Sequence, residues 1–191
     1  ASPHFDEGPF DVAKAAEWCP VDQYTGGAEH AVMHLLYARF FTKAIRDLGL
    51  LDFGEPFLRL FNQGTVLSGH QKMSKSRGNV VAPDLYVSEL GADVVRLYLM
   101  FMGPWGGGGD WSDAGINGVA RWVNRLWDLC LASTDGLPET DSSGDRDAQR
   151  LTHQTIRRVI QDMERFKYNT AISAMMEITN ALAPAHDAGQ I

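Results

Sequence analysis

Lys72-Met73-Ser74-Lys75-Ser76-Arg77-Gly78-Asn79-Val80-Val81-Ala82-Pro83 is the stretch from which the rest of this chain can be read. It carries three cations, Lys72, Lys75 and Arg77, and no acid, in a chain of 191 residues with a formal net charge of −7. A protein of that charge is not a general nucleic-acid binder, because neutralising phosphates takes Lys and Arg over a broad face. Unevenly placed charge is another matter, and a basic loop in an acidic chain reads as a dedicated anion site. Lys is a compact, flexible point charge suited to phosphate. Ser74 and Ser76 add hydroxyl donors, and Gly78 lets the backbone turn close to a phosphate. Met73 has no polar role and suits an apolar anchor. On composition alone the competing reading is a solvated basic loop, since short Lys/Ser runs are common.

Outward from the loop, β-branched and apolar residues over 57–67 end in Thr65-Val66-Leu67 and predict a buried strand, with Ser68-Gly69-His70-Gln71 as a turn. Residues 72–82 read as an irregular loop. Pro83 suits the first turn of a helix, where its missing N–H costs nothing, and Gly91 stops that helix. A second, very apolar helix is predicted over 93–102, broken by Gly103-Pro104, with 106–109 as a surface loop tip. Ser112 is a good N-cap for a helix over 113–131. Residues 134–144 read as a linker, followed by helices over 146–166 and 170–183 with Asn169 as the N-cap between them. Toward the other end, a short helix is predicted near 12–18 and a short strand near 21–24. One helix over 28–48 carries Val32, Leu35, Leu36, Phe40 and Ile45 at helical spacing, and Gly49 closes it. The fold class is therefore α/β, with a mixed region over 1–112 and an α-helical bundle segment over 113–191.

The second constellation is Gln23-Tyr24-Thr25-Gly26-Gly27-Ala28-Glu29-His30. Two glycines before a helix let a ligand approach exposed backbone N–H groups, although a plain turn is the favoured reading of the glycines taken alone. Glu29, in the first turn, suits ribose hydroxyls, and His30 and His34, spaced i, i+4, share a helix face. That spacing also admits a zinc hydrolase, but the residue after His30 is Ala31 where the motif needs Glu, and no third ligand follows, so no metal site is assigned.

An apolar fraction of 45% argues against disorder. No apolar run reaches the ~18 residues of a membrane span, so no membrane role is expected. The start, Ala1-Ser2-Pro3-His4, lacks a basic segment with an apolar core and reads as a cut into a longer chain. Cys19 and Cys130, far apart, suit a reducing cytoplasm as small apolar residues.

Lys72-Met73-Ser74-Lys75-Ser76 resembles, letter for letter, the second signature of the class I aminoacyl-tRNA synthetases, and Arg77 to Val81 and Pro83 continue the likeness. Residues 22–40 resemble the leucine-specific branch, whose isoleucine, valine and methionine counterparts look different here. The resemblance covers nearly the whole chain and is weakest at 106–109. It implies the second half of a Rossmann-like nucleotide-binding fold, followed by the start of the anticodon-binding helical bundle. It implies ATP-dependent activation of leucine, with Mg²⁺, and transfer to tRNA-Leu. By the same resemblance Lys75, assisted by Lys72, stabilises the triphosphate, and Met73, Ser74 and Ser76 complete the loop. Gly26, Gly27 and Glu29 lie at the adenylate ribose, residues 63–66, including Val66, lie against adenine, and Tyr24, His30 and His34 belong to the leucine pocket. Asp110 to Asp113 look like the approach to the tRNA-binding helices, and Phe166 to Ile172 like the start of a later one. The family's first signature, His-Ile-Gly-His, is absent, so it is expected before Ala1, in a missing N-terminal half, and the isolated chain is expected to be inactive. A non-catalytic binding module and another class I specificity are the alternatives. Arg121, Arg125, Arg157, Arg158, Arg165 and Lys167 read either as solvated helix residues or as contacts to tRNA phosphates.

Overall fold

The structure, a computed structural model, describes residues 2–132 and 146–187. The expected linker over 134–144 lies outside the described residues. The chain forms two compact units, Ala1–Gly64 and Thr65–Ile191.

In the first unit, α1 (Val12–Trp18) is capped by the Asp11 carboxylate, which accepts from the Lys14 N–H. β1 (Tyr24–Gly27) and β2 (Leu60–Gln63) pair in parallel, Tyr24 opposite Leu60 and Gly27 opposite Gln63. Before them Val21 bridges Phe57. The strand therefore sits three residues later than the sequence predicts, and it contains both glycines. Local pattern could not place it, because its partner lies 36 residues away along the chain.

The helix predicted over 28–48 is present as three pieces. A 3₁₀ turn (Ala28–His30) and a π turn (Ala31–Leu35) lead into α2 (Leu36–Asp47). Gly49, at φ 78°, ends it in a Schellman arrangement, with Gly49 N–H donating to the Arg46 carbonyl and Leu50 N–H to that of Ile45. The expected buried stripe is only partly buried. Leu35 is buried, whereas Val32 (72% exposed), Leu36 and Phe40 are joined on the surface by Met33, Tyr37 and Phe41. No described residue covers that side of the helix.

In the second unit, the segment expected as one strand ends in β3 (Thr65–Ser68), which belongs to a different sheet from β2. β3 pairs antiparallel with β4 (Gln71–Lys72) through a tight turn in which Gly69 and His70 take φ 59° and 60°. Two left-handed central residues make this a type I′ hairpin, whose twist matches its strands. β3 also pairs in parallel with β5 (Gly108–Asp110). The expectation of a loop tip over 106–109 is thus corrected at Gly108 and Gly109. A Cβ on Gly108, at φ 74°, would stand 2.2 Å from the Thr65 carbonyl oxygen, so backbone alone makes this strand and no side-chain pattern announces it.

α3 (Pro83–Leu90) starts with Pro83 in its first turn and ends at Gly91, and α4 (Ala92–Phe101) follows. α5 (Asp113–Ala132) begins after Ser112, whose hydroxyl accepts from the Gly115 N–H at 3.2 Å. The core joins Val94, Val95 and Tyr98 of α4 to Ile116 and Val119 of α5, the last two fully buried. Trp111 stands edge-on to Tyr86 and Tyr98, and the Tyr98 hydroxyl accepts from the Ser112 N–H. Burial pushes the Tyr98 phenol up. The change of composition near residue 112 is therefore not a break in packing, since α4 packs on both α5 and α7.

α6 (Arg146–Glu164) and α7 (Tyr168–Asp187) form a helical hairpin. α7 starts before Asn169, which lies inside it and is not its cap. The first turn is closed by Lys167, whose carbonyl accepts from both the Ala171 N–H and the Thr170 hydroxyl. Val119 and Trp122 are core, but Trp127, Ile156, Ile160 and Met163 are about half exposed or more. No helix among the described residues is long and apolar enough to cross a membrane.

Candidate functional site

Within the first unit, β1 ends at Gly27 and the chain turns at once into the helical run, so Gly26-Gly27 lies at the carboxyl end of a parallel strand. Ligands of α/β sheets bind outside such ends. Glu29 lies in the first turn, and its carboxylate folds back over Gly27. A Cβ on Gly27 would stand 2.3 Å from Glu29 Oε2. Tyr24, stacked on Phe57 at 4.0 Å between ring centroids, is hydrogen-bonded through its hydroxyl to His34 Nε2. The structure thus brings Tyr24 and His34 together. His30 is exposed, and its side chain makes no hydrogen bond among the described residues. The π turn, which starts after His30 and contains His34, widens the helix there, a distortion often found at functional sites. Gln63, at the end of β2, keeps a buried Oε1 with no partner among the described residues.

Within the second unit, Val66 is half-buried in β3 opposite Gly109. Lys72 ends β4, and Lys75–Arg77 form a single 3₁₀ turn closed by Gly78 at φ 68°. Met73 is half-buried and Lys72 and Lys75 are exposed. The Ser74 and Ser76 hydroxyls lie 2.8 Å apart. Among the described residues no carboxylate pairs with Lys72, Lys75 or Arg77. A loop with three unneutralised cations and two hydroxyls can accept a polyanion without first breaking an ion pair.

Two side chains that sequence reasoning passed over hold this loop and the hairpin turn before it. Asn79 accepts from the Ser74 N–H at 2.9 Å and donates to the Lys72 carbonyl at 3.3 Å. An Asn following a glycine and facing a Ser-rich turn is a signal for such a clasp. Asp110, at the end of β5, accepts from the His70 backbone N–H at 3.0 Å and lies 2.9 Å from its Nδ1. Nothing in the sequence links residues 70 and 110, because β5, which carries Asp110 to the hairpin, has no side-chain pattern to announce it. Asp113 accepts from the Tyr86 hydroxyl and the Trp111 indole, and these bonds, the tyrosine's first, hold its carboxyl below the ordinary range.

Among the described residues no three His, Cys, Asp or Glu side chains gather closely enough to hold a metal ion.

The family model described as tRNA synthetases class I (I, L, M and V) matches residues 9–111. A leucine–tRNA ligase from Dehalococcoides mccartyi is 55% identical over 191 residues, all of this chain and 23% of the relative. One from Rubrobacter xylanophilus is 56% identical over 182 residues, 95% of this chain and 22% of the relative. The chain therefore spans less than a quarter of the length of these relatives. Among solved structures, the ternary complex of Agrobacterium radiobacter LeuRS, tRNA and LeuAMS superposes with a TM-score of 0.80 at 37% identity, over 93% of this chain and 24% of the other. Mycobacterium tuberculosis methionyl-tRNA synthetase bound by methionyl-adenylate has the same fold, with a TM-score of 0.69 at 23% identity, over 92% of this chain and 35% of the other. The basic loop, the strand-borne glycine pair and a family match over more than half its length lead to one conclusion: this chain belongs to the class I tRNA synthetases of the isoleucine, leucine, methionine and valine group.

Proposed function

We propose that this chain is part of a leucine–tRNA ligase, which activates leucine with ATP and transfers it to tRNA-Leu in the cytoplasm. The observation that carries the reading is the 72–79 loop, with exposed Lys72 and Lys75 that no described carboxylate neutralises. In activation, a leucine carboxylate oxygen bonds to the α-phosphorus of ATP while the bond from that phosphorus to the bridging oxygen breaks, releasing pyrophosphate. Negative charge grows on the leaving pyrophosphate, and a preset cation stabilises it more in the transition state than in the ground state. Lys75 takes that role and Lys72 assists. Ser74 and Ser76 supply donors, and Met73 anchors the loop by its half-buried side chain.

Gly26 and Gly27 let the adenylate approach the end of β1, Glu29 accepts from its ribose hydroxyls, and Val66 borders the adenine. Tyr24, His34 and His30 line the leucine pocket, with the Tyr24–His34 hydrogen bond fixing two of them. In this reading Mg²⁺ accompanies the triphosphate, since that ion keeps several waters and is held largely by substrate phosphates. Leucine is favoured over the other group members because relatives matching the whole chain at 55% identity are leucine–tRNA ligases, as is the neighbour bound to tRNA and LeuAMS.

Residues 1–112 are assigned to the catalytic half and 113–191 to the start of the helical bundle. The apolar side chains left exposed around α2, among them Val32, Leu36, Tyr37 and Phe40, support a further proposal. The part of the full-length enzyme outside these residues covers this face, and the isolated 191 residues make no adenylate. The test is amino-acid-dependent pyrophosphate exchange by the full-length protein. Exchange driven by leucine and not by isoleucine, valine or methionine is expected. Exchange driven by one of those three instead would overturn the specificity, and leucine-dependent exchange by the isolated chain would overturn its inactivity.

A further inference from the structure

Gly78 turns the chain back on itself, and the residue it delivers to the start of the basic loop is Asn79. The half-buried Asn79 amide uses both of its ends. Oδ1 accepts from the Ser74 N–H at 2.9 Å, and Nδ2 donates to the Lys72 carbonyl at 3.3 Å. These two backbone groups flank Met73. One belongs to Lys72 itself and the other to the residue directly before Lys75. A primary amide can accept and donate at once, whereas a carboxylate has no proton to give and an alanine has neither group. The clasp also opposes a standing tendency. Lys72, Lys75 and Arg77 repel one another and no described carboxylate relieves them, so an untied loop would spread.

We infer that Asn79 is a positioning residue for amino-acid activation. It sets the spacing of Lys72 and Lys75 before the nucleotide arrives, so that the cost of ordering the loop is met in folding and not in the transition state. The inference rests on the function proposed above, and its test separates the two. In the full-length protein, Asn79→Ala is expected to lower kcat for leucine-dependent pyrophosphate exchange about tenfold, with the KM for leucine unchanged. That is roughly the effect of losing two hydrogen bonds of ordinary net strength. In a Lys75→Ala background the same change is expected to cost less than about twofold, because a residue acting through Lys75 has little left to position. Hydrogen exchange at the Ser74 backbone amide is expected to speed up in Asn79→Ala.

Equal losses in both backgrounds, an unchanged kcat, or an unchanged Ser74 amide would each overturn the inference. Should Asn79→Ala fail to fold, Asn79→Asp keeps the acceptor toward Ser74 and removes the donor toward Lys72. A slow Ser74 amide with a lowered kcat is then expected, and a wild-type kcat would overturn the role of the Lys72 bond. Failure of the underlying reading shows itself separately, as wild-type exchange in Lys75→Ala with Asn79 intact.

Discussion

Arg39 and Lys43 on α2 share one carboxylate, and Lys72, Lys75 and Arg77 on the signature loop share none among the described residues. Glu55 accepts two bonds from the Arg39 guanidinium at 2.7 Å and one from Lys43 at 2.9 Å. These bonds, the arginine's first, pull its carboxyl down to about 2. The first cluster ties the segment carrying Glu55 to a helix. The second is held by an uncharged amide, which fixes its backbone and leaves its charge whole. The contrast teaches how to read basic residues in an acidic protein. A cation neutralised within the fold serves the fold, and a cation held in place but left unneutralised is available to a ligand.

The largest effect that can break this contrast is on the rate. Lys75→Ala in the full-length protein is expected to lower leucine-dependent pyrophosphate exchange by about 10²–10³, the usual loss when one preset transition-state donor goes. Lys43→Ala, also the loss of a lysine, is expected to leave it within about twofold. Comparable losses in the two variants would erase the distinction between the clusters. A smaller effect is expected at the neutral contact of the first unit. Tyr24→Phe keeps the ring on Phe57 and deletes the hydroxyl that bonds His34. The KM for leucine should rise by roughly two- to tenfold with kcat little changed, the reach of one ordinary hydrogen bond. An unaltered KM would remove this pair from the proposed leucine pocket.

The smallest effect is a titration. Because the folded Glu55 carboxyl lies below its ordinary value, its contribution to stability is complete above the unfolded value, near 4.5. That contribution declines as pH falls from there toward about 2. Carbon-detected NMR of Glu55 should give a midpoint near 2 in the wild type, moving up toward the ordinary carboxylate range in Arg39→Ala. A midpoint already in the ordinary range in the wild type would mean that the α2 cluster is not neutralised as described.

Much of the helical architecture was legible because capping is local. Asp11 and Ser112 cap their helices, Pro83 opens α3, and Gly49 and Gly91 close theirs, each within a few residues of the element it bounds. The strands were legible only where side chains announced them. β3 carries Val66 and Leu67, but β1 includes two glycines and β5 opens with two, and both owe their state to partners dozens of residues away. The missed cap at Asn169 has a similar cause. The hairpin between α6 and α7 puts Phe166 at φ 57° in a Schellman turn, and the packing of the two helices then sets where α7 begins. At the candidate site the lysines were readable as residue types. The Asn79 clasp leaves only the local signal of an Asn after a glycine beside a Ser-rich turn, and the Asp110 bond to the hairpin turn leaves none, because it reaches a backbone group 40 residues away.

The three-residue strand β5 bears on where this polypeptide tolerates change. Gly107 and Gly108 are neighbours of the same type, and by inspection they look interchangeable. A methyl group on Gly107 would meet only ordinary contacts, the nearest at 3.6 Å, whereas one on Gly108 would drive into the Thr65 backbone. A glycine-to-alanine scan across this stretch should therefore show a step between adjacent positions. The step would be felt in β3, the strand that leads into the signature hairpin. For adding a single side chain, the boundary falls between residues 107 and 108.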